Sequence, residues 1–292
     1  MAERALATLI TRAPDRATAT VLQAAATDAA TARGDDPVLF LVDRRREQTR
    51  VRIIQGPTTL DERKFPTPES HGDLMIQLTQ ANNDALGYDD HPDAVVVSTT
   101  ERVSRGGQIP SAVAAKESET FRQSVGHATR MPNERSIAVL PRVSALALAQ
   151  SIDHPAGPQN DVAFLAINAR RGLLERAAVY THEGWVASHE PEGEVRGSLI
   201  RVMGNTYDTL NKGGLEVATL VVDGAESEDT ERLQAGLRQR FRVTAPRLVR
   251  AAIDEDTALK GAQVAAGRIA KGQPFDVFYA GVKKIVTTRE AH

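Results

Sequence analysis

A chain of 292 residues, 41% hydrophobic but only 4% aromatic, has room for one large or two medium domains whose cores must be aliphatic. Its 36 Lys and Arg against 38 Asp and Glu give a formal charge of -2, which argues against a general polyanion-binding surface and leaves nucleic acid as a local-patch reading only. Cysteine is absent, which excludes thiol catalysis, disulfides and thiolate metal sites; no run is apolar enough for a signal or a membrane span, so the chain reads as soluble and cytoplasmic.

Residues 2–34 are rich in Ala, Thr and Arg, and Pro14 interrupts them; two helices fit, stopped by Gly34-Asp35-Asp36-Pro37. They are expected to form an accessory hairpin on the outside. Val38–Val42 and Arg50–Ile54 are apolar, β-branched strands, and the polar stretch between them, Asp43 to Thr49, makes the pair a hairpin. Its consecutive arginines, Arg44, Arg45 and Arg46, can grip a phosphate, although a solvated turn is the commoner fate of such a run. An amphipathic helix follows over Leu74–Leu86, and His91–Ser98 is a buried-type strand. The polar loop Thr99–Gly107 then lies at a strand's carboxyl end, where α/β sheets place ligands. Ser111–Val125 is expected to be helical, Ser136–Leu140 a strand, and Ser144–Gln150 a second helix after Pro141. Asp153–Asn160, with two Pro and one Gly, is the natural lobe boundary.

The second half repeats this pattern. Asp161–Ile167, Glu175–Thr181 and Gly184–Ser188 read as three antiparallel strands, the first pair joined by Asn168-Ala169-Arg170-Arg171-Gly172. A helix over Ser198–Leu210 ends at Gly213-Gly214. Glu216–Val222 is a buried strand with the turn Asp223-Gly224 after it, followed by a charged helix over Ser227–Phe241 and a short strand near Arg247–Ala252. The last helix, Asp254–Ala266, is capped by Asp254 or Asp256. Ala258, Gly261, Ala262, Ala265 and Ala266 leave one side of it nearly bare, so something must approach closely there. The apolar tail around Phe275–Tyr279 is expected to pair with the chain's own sheet. His182-Glu183 and His189-Glu190 read as surface-loop pairs, since no third ligand group accompanies them. Ser98, Thr99 and Ser104 have no His and Asp arranged for a hydrolase triad.

Two local patterns carry a resemblance. Val139-Leu-Pro-Arg-Val-Ser-Ala-Leu-Ala-Leu-Ala149, leading into Asp161–Gly172, is similar to the helix and phosphate hairpin of heat-shock-chaperone ATPases. Leu220-Val-Val-Asp-Gly-Ala-Glu226, then Leu237–Phe241, then Asp254 to Gly261-Ala262, is similar to that family's adenosine-site strand and turn with its final small-residue helix. The order of elements resembles the duplicated lobes of the actin, sugar-kinase and heat-shock-chaperone ATPase superfamily, close in length to the ROK sugar kinases. The resemblance implies an α/β fold of two ribonuclease-H-like lobes with mixed sheets flanked by helices, divided as an N-terminal helical extension over 1–36, lobes over 37–160 and 161–270, and a tail over 271–292. It places the nucleotide against Asp43, Arg44, Arg45, Arg170, Arg171, Gly172, Asp223 and Gly224.

The chain departs from the family where chemistry is done. Asp43 is followed by Arg44 and Arg45 instead of the Asp-x-Gly that lets phosphate approach backbone N–H groups. The second phosphate turn keeps one glycine, Gly172. Leu140-Pro141-Arg142 stands where the sugar kinases present an Asp as general base, and an arginine cannot take that proton. The expectation is therefore a non-catalytic binding or scaffolding protein, not an enzyme, with a protein partner or a second copy of itself, no metal and no required cofactor. The alternatives are an ATPase or small-molecule kinase that takes ATP and Mg through arginine-based phosphate binding, and an RNA- or ribosome-binding protein that uses the arginine turns.

Overall fold

The computed structural model describes residues 36–45, 47–99, 111–152, 162–170, 173–181, 185–194, 216–223, 247–250, 256–273 and 275–278, with scattered helical positions between 201 and 239. The predicted N-terminal hairpin, the loop after Thr99, the Pro/Gly linker and the end of the tail lie outside the described residues.

The first sheet is built from β1 (Val38–Arg44), β2 (Gln48–Gln55), β3 (Thr58–Pro66), β4 (Ala94–Thr99) and β5 (Ile137–Pro141), in the order β3-β2-β1-β4-β5. β1, β4 and β5 are buried along their whole length, which is why their sequences read as unbroken apolar runs. β2 runs antiparallel to β1 as expected, and β4 and β5 are parallel to it and to each other. β3 escapes the hydrophobic pattern because it is an edge strand, carrying Asp61, Glu62, Arg63 and Lys64. A bulge sits where Ile53 pairs with Asp61 but Ile54 pairs with Thr59, leaving Leu60 as the extra residue.

Helices α1 (His71–Leu86) and α2 (Ser111–Thr129) cover one face of this sheet. α1 starts earlier than its apolar stripe because Ser70 caps it, accepting from the Asp73 backbone N–H at 3.0 Å, and it stops at Gly87 with φ 87°. Val38, Phe40 and Val42 of β1 point into this side, with Leu74, Leu78 and Val125. α3 (Arg142–Ala149) follows β5 directly, with every residue buried.

The second sheet comprises β6 (Val162–Arg170), β7 (Leu173–Thr181), β8 (Trp185–Glu194), β9 (Glu216–Asp223), β10 (Arg247–Arg250) and β11 (Phe275–Phe278). Its order is β10-β9-β6-β7-β8-β11. Without β11 this is the first sheet's order again, with the same antiparallel hairpins and the same parallel neighbours. β11 lies parallel to β8, so this part of the tail does pair within the chain. β8 is longer than its apolar start suggests: His189 and Glu190 are not in a loop but pair with Ala177 and Arg176 of β7. A long antiparallel strand carries polar residues on its ladder without breaking it, so polarity alone does not mark its end.

The two sheets share a core through exchanged helices. α3, from the first half, packs on β6 and β7 of the second sheet; α4 (Thr257–Ala270), from the second half, packs on β1 and β4 of the first. α3 and α4 lie against each other, and one apolar cluster joins Leu39, Leu41, Val96 and Leu140 through both helices to Val221 of β9. The bare side of α4 is what allows this. A Cβ on Gly261 would come within 1.8 Å of the Ala145 carbonyl oxygen of α3, so only glycine fits there.

Candidate functional site

Side chains alternate along a strand, so the face of β1 that carries Leu39 and Leu41 into the shared core carries Asp43 at its carboxyl end. Register sets the neighbours: Asp43 lies opposite Arg50 of β2 and beside Ser98 of β4. Arg142, first residue of α3, reaches the same place, and Asp223 arrives as the last residue of β9. Arg142 ion-pairs with Asp223 and has its Nε 3.5 Å from Asp43 Oδ1. Arg45 closes on the other Asp43 oxygen, Nε to Oδ2, at 2.8 Å. Asp43 is 0% exposed, Arg142 5% and Asp223 4%. One guanidinium thus sits in the protein interior between a carboxylate from each sheet.

The band continues across the first sheet. Arg50 and Arg52 are two apart on β2 and therefore share the face of Asp43. Arg50 reaches Glu62 of β3 at 2.9 Å and Asp256 at 2.5 Å; Arg52 reaches Glu62 at 3.0 Å and Asp256 at 2.7 Å. Asp256 occupies the N-cap position of α4 but caps nothing with its side chain, because that carboxylate is engaged by β2. Four arginines (45, 50, 52 and 142) therefore balance four carboxylates (43, 62, 223 and 256) along the boundary of the two sheets.

The exposed end of this band has shifted acidities. The hydrogen bond from Arg52 holds Glu62 below the usual carboxylate range, against partial burial and with help from Arg50. Burial pushes Asp256 up, but the hydrogen bond from Arg52 and the charges of Arg52 and Arg50 outweigh it and hold it below its ordinary value. At the buried end, Asp43 Oδ1, Arg142 Nε, Ser98 Oγ and Ser144 Oγ have no hydrogen-bond partner among the described residues. The contact of Arg142 with Asp43 is thus an ion contact without hydrogen-bond geometry.

Of the residues expected around a nucleotide, Asp43, Arg45 and Asp223 are brought together here. Arg44 is not: it belongs to the opposite face of β1, is buried, and lies 5.9 Å over the Phe121 ring, which His71 meets edge-on at 4.8 Å. Arg170 ends β6, two positions past Asn168, the register partner of Asp223. Arg171, Gly172 and Gly224 lie outside the described residues. Sequence reasoning missed Arg50, Arg52, Glu62 and the role of Arg142. The one available signal was the alternation Arg50-Val51-Arg52, which sets two cations on the core-facing side of a strand. Among the described residues no group of three or more His, Cys, Asp or Glu is placed to hold a metal ion, and no helix is long and apolar enough to cross a membrane.

No family model and no curated protein matches the sequence. Solved structures do. The ROK hexokinase from Thermus thermophilus is 14% identical, with 78% of this chain and 97% of that one covered at a TM-score of 0.46. The glucokinase from Balamuthia mandrillaris is 10% identical, with 87% and 99% covered at 0.48. A protein with an actin-like ATPase fold from Bacteroides thetaiotaomicron is 9% identical, with 78% and 96% covered at 0.39. The strand order, repeated in both sheets with the same parallel and antiparallel neighbours and with two exchanged helices between, is that of a ribonuclease-H-like lobe.

Proposed function

We propose that this chain is a non-catalytic binding or scaffolding protein on an actin-like ATPase fold, whose ligand is a protein partner or a second copy of itself. One observation carries the reading: the buried Arg142 guanidinium lies between Asp43 and Asp223. Phosphoryl transfer needs carboxylates free to hold a divalent ion and donors free to cradle phosphate. A guanidinium does not deprotonate in a protein, so here both acids are engaged from within the chain, Asp223 by Arg142 and Asp43 by Arg45 and Arg142. The rival reading, phosphate bound by arginines, would need Arg45 released from Asp43 and Arg44 withdrawn from the face of the Phe121 ring.

ATP turnover by the purified full chain tests the non-catalytic part. No phosphate release above blank is expected, with Mg or without. Turnover that disappears in Asp43→Ala would overturn the reading. Light scattering at micromolar concentration addresses the partner: a dimer mass points to a second copy, a monomer mass to a different protein.

A further inference from the structure

The first sheet ends at β3, where Thr58, Thr59, Leu60, Glu62, Lys64 and Pro66 are exposed. One bond fixes the backbone alternation of this edge: Thr67 N–H donates to the Glu47 carbonyl at 3.1 Å. From there back to the bulge, odd-numbered residues turn their N–H and C=O groups toward β2, and Glu62 and Lys64 turn theirs outward. The bulge at Leu60 and Pro66, which has no N–H, close this stretch off on either side. What remains is a short pairing window, residues 61–65, whose charges run Asp, Glu, Arg, Lys.

An open edge accepts another strand, and the charge order selects which one. Side chains opposite each other across an antiparallel ladder share a face of the sheet, so two copies of β3 related by a two-fold axis pair residues of equal parity. With the axis at Arg63, the outward backbone of Glu62 meets that of Lys64 in the second copy. Each such pair exchanges both its backbone hydrogen bonds and sets a carboxylate opposite an ammonium. Arg63 faces its own counterpart, but each carries its own acids, Asp61 at 2.6 Å and Asp84 of α1 at 2.7 Å. Lys64 gains most: it lies opposite Arg50 of β2, a like charge, and has no ion-pair partner among the described residues. An axis at Glu62 would set that acid against itself and draw the bulge into the ladder; an axis at Lys64 would set lysine against lysine.

We infer that β3 is the surface on which a second copy of this chain docks, antiparallel about a two-fold axis at Arg63, so that the two first sheets become one continuous sheet. This docking rests on the reading of the chain as a binding protein for a second copy of itself, not on its lack of catalysis.

The absence of cysteine makes the test direct. Arg63→Cys sets two thiols opposite each other in a non-hydrogen-bonded pair, with Cα atoms about 4.5 Å apart, and is expected to cross-link to a dimer under mild oxidation. Leu60→Cys stands three residues from the axis, about 20 Å from its counterpart, and is expected not to cross-link. Without any cross-link, sedimentation equilibrium of the full chain at micromolar concentration is expected to give a dimer in low salt. Raising NaCl from about 0.05 to 0.5 M should weaken it about tenfold, as the ion pairs are screened. Lys64→Glu, which sets acid against acid, and Lys64→Pro, which removes an outward N–H and no bond to β2, should each leave a folded monomer by circular dichroism. Should Lys64→Pro not fold, Lys64→Glu, at an exposed position, decides. A monomer in low salt overturns the docking and leaves the non-catalytic reading standing with a different protein as partner. A dimer that survives Lys64→Glu, or that cross-links equally through Leu60→Cys, overturns β3 as the docking edge while keeping the second copy.

Discussion

Gly261 of α4 rests against the carbonyl oxygen of Ala145 in α3, close enough that an added Cβ would stand 1.8 Å from that oxygen and 2.6 Å from its carbon. The two helices come from opposite halves of the chain, so this single contact fixes how near the halves approach. Gly261→Ala is therefore expected to destabilise by about 3 kcal/mol, the upper range for overpacking against a backbone that cannot yield. Gly267 of the same helix has nothing within 4 Å of its added Cβ, and Gly267→Ala should be neutral or slightly stabilising through helix propensity. Urea unfolding of the two variants side by side checks the contrast.

Arg142 serves two buried acids, and removing it takes that cation from Asp223 and leaves Asp43 with Arg45. Arg142→Met should cost about 3–5 kcal/mol. Most of that loss should return when Asp43→Asn and Asp223→Asn are added, because the penalty belongs to the stranded charges. Equilibrium unfolding of the single and triple variants separates this from loss of packing alone, which the added substitutions would not restore.

The acids at the exposed end predict an acid limb. Glu62 and Asp256 are both held below their ordinary values of 4.5 and 3.8, so the folded state binds their protons less readily than the unfolded chain. Their contribution is fully present above those ordinary values and is lost as pH falls through the depressed folded ones. The melting temperature should decline below about pH 4.5, and Glu62→Gln with Asp256→Asn should flatten that decline while leaving Arg142 contacts untouched. Both groups are a third exposed, so the effect is screened and shrinks in high salt.

What could be read from the residues follows what each residue type reveals about burial. β1, β4, β5 and β9 were legible because strands covered on both faces are written as continuous runs such as Ala94-Val-Val-Val. β3 was not, because an exposed edge with Asp61 through Lys64 looks like a loop. The small-residue side of α4 announced a close approach, but its partner, Ala145, gives no local sign. The same limit applied to the site. Asp43 and Asp223 stood out as acids ending apolar strands, whereas Arg142 was visible only as a residue unsuited to act as a base. That it lies between those acids depends on the meeting of two sheets far apart in the chain. Glu62 is an ordinary surface acid by sequence and Asp256 reads only as a helix cap, and the bulge-set register of β3 and the start of α4 bring them to the same two arginines.

On the proposed reading, the acids that end β1 and β9 hold no metal or phosphate because Arg142 and Arg45 already occupy them. Isothermal titration of the full chain with Mg-ATP, carried to about 1 mM free nucleotide, tests it most directly. No saturable heat is expected. A saturable isotherm that Asp43→Ala and Asp223→Ala each abolish in folded protein would contradict it.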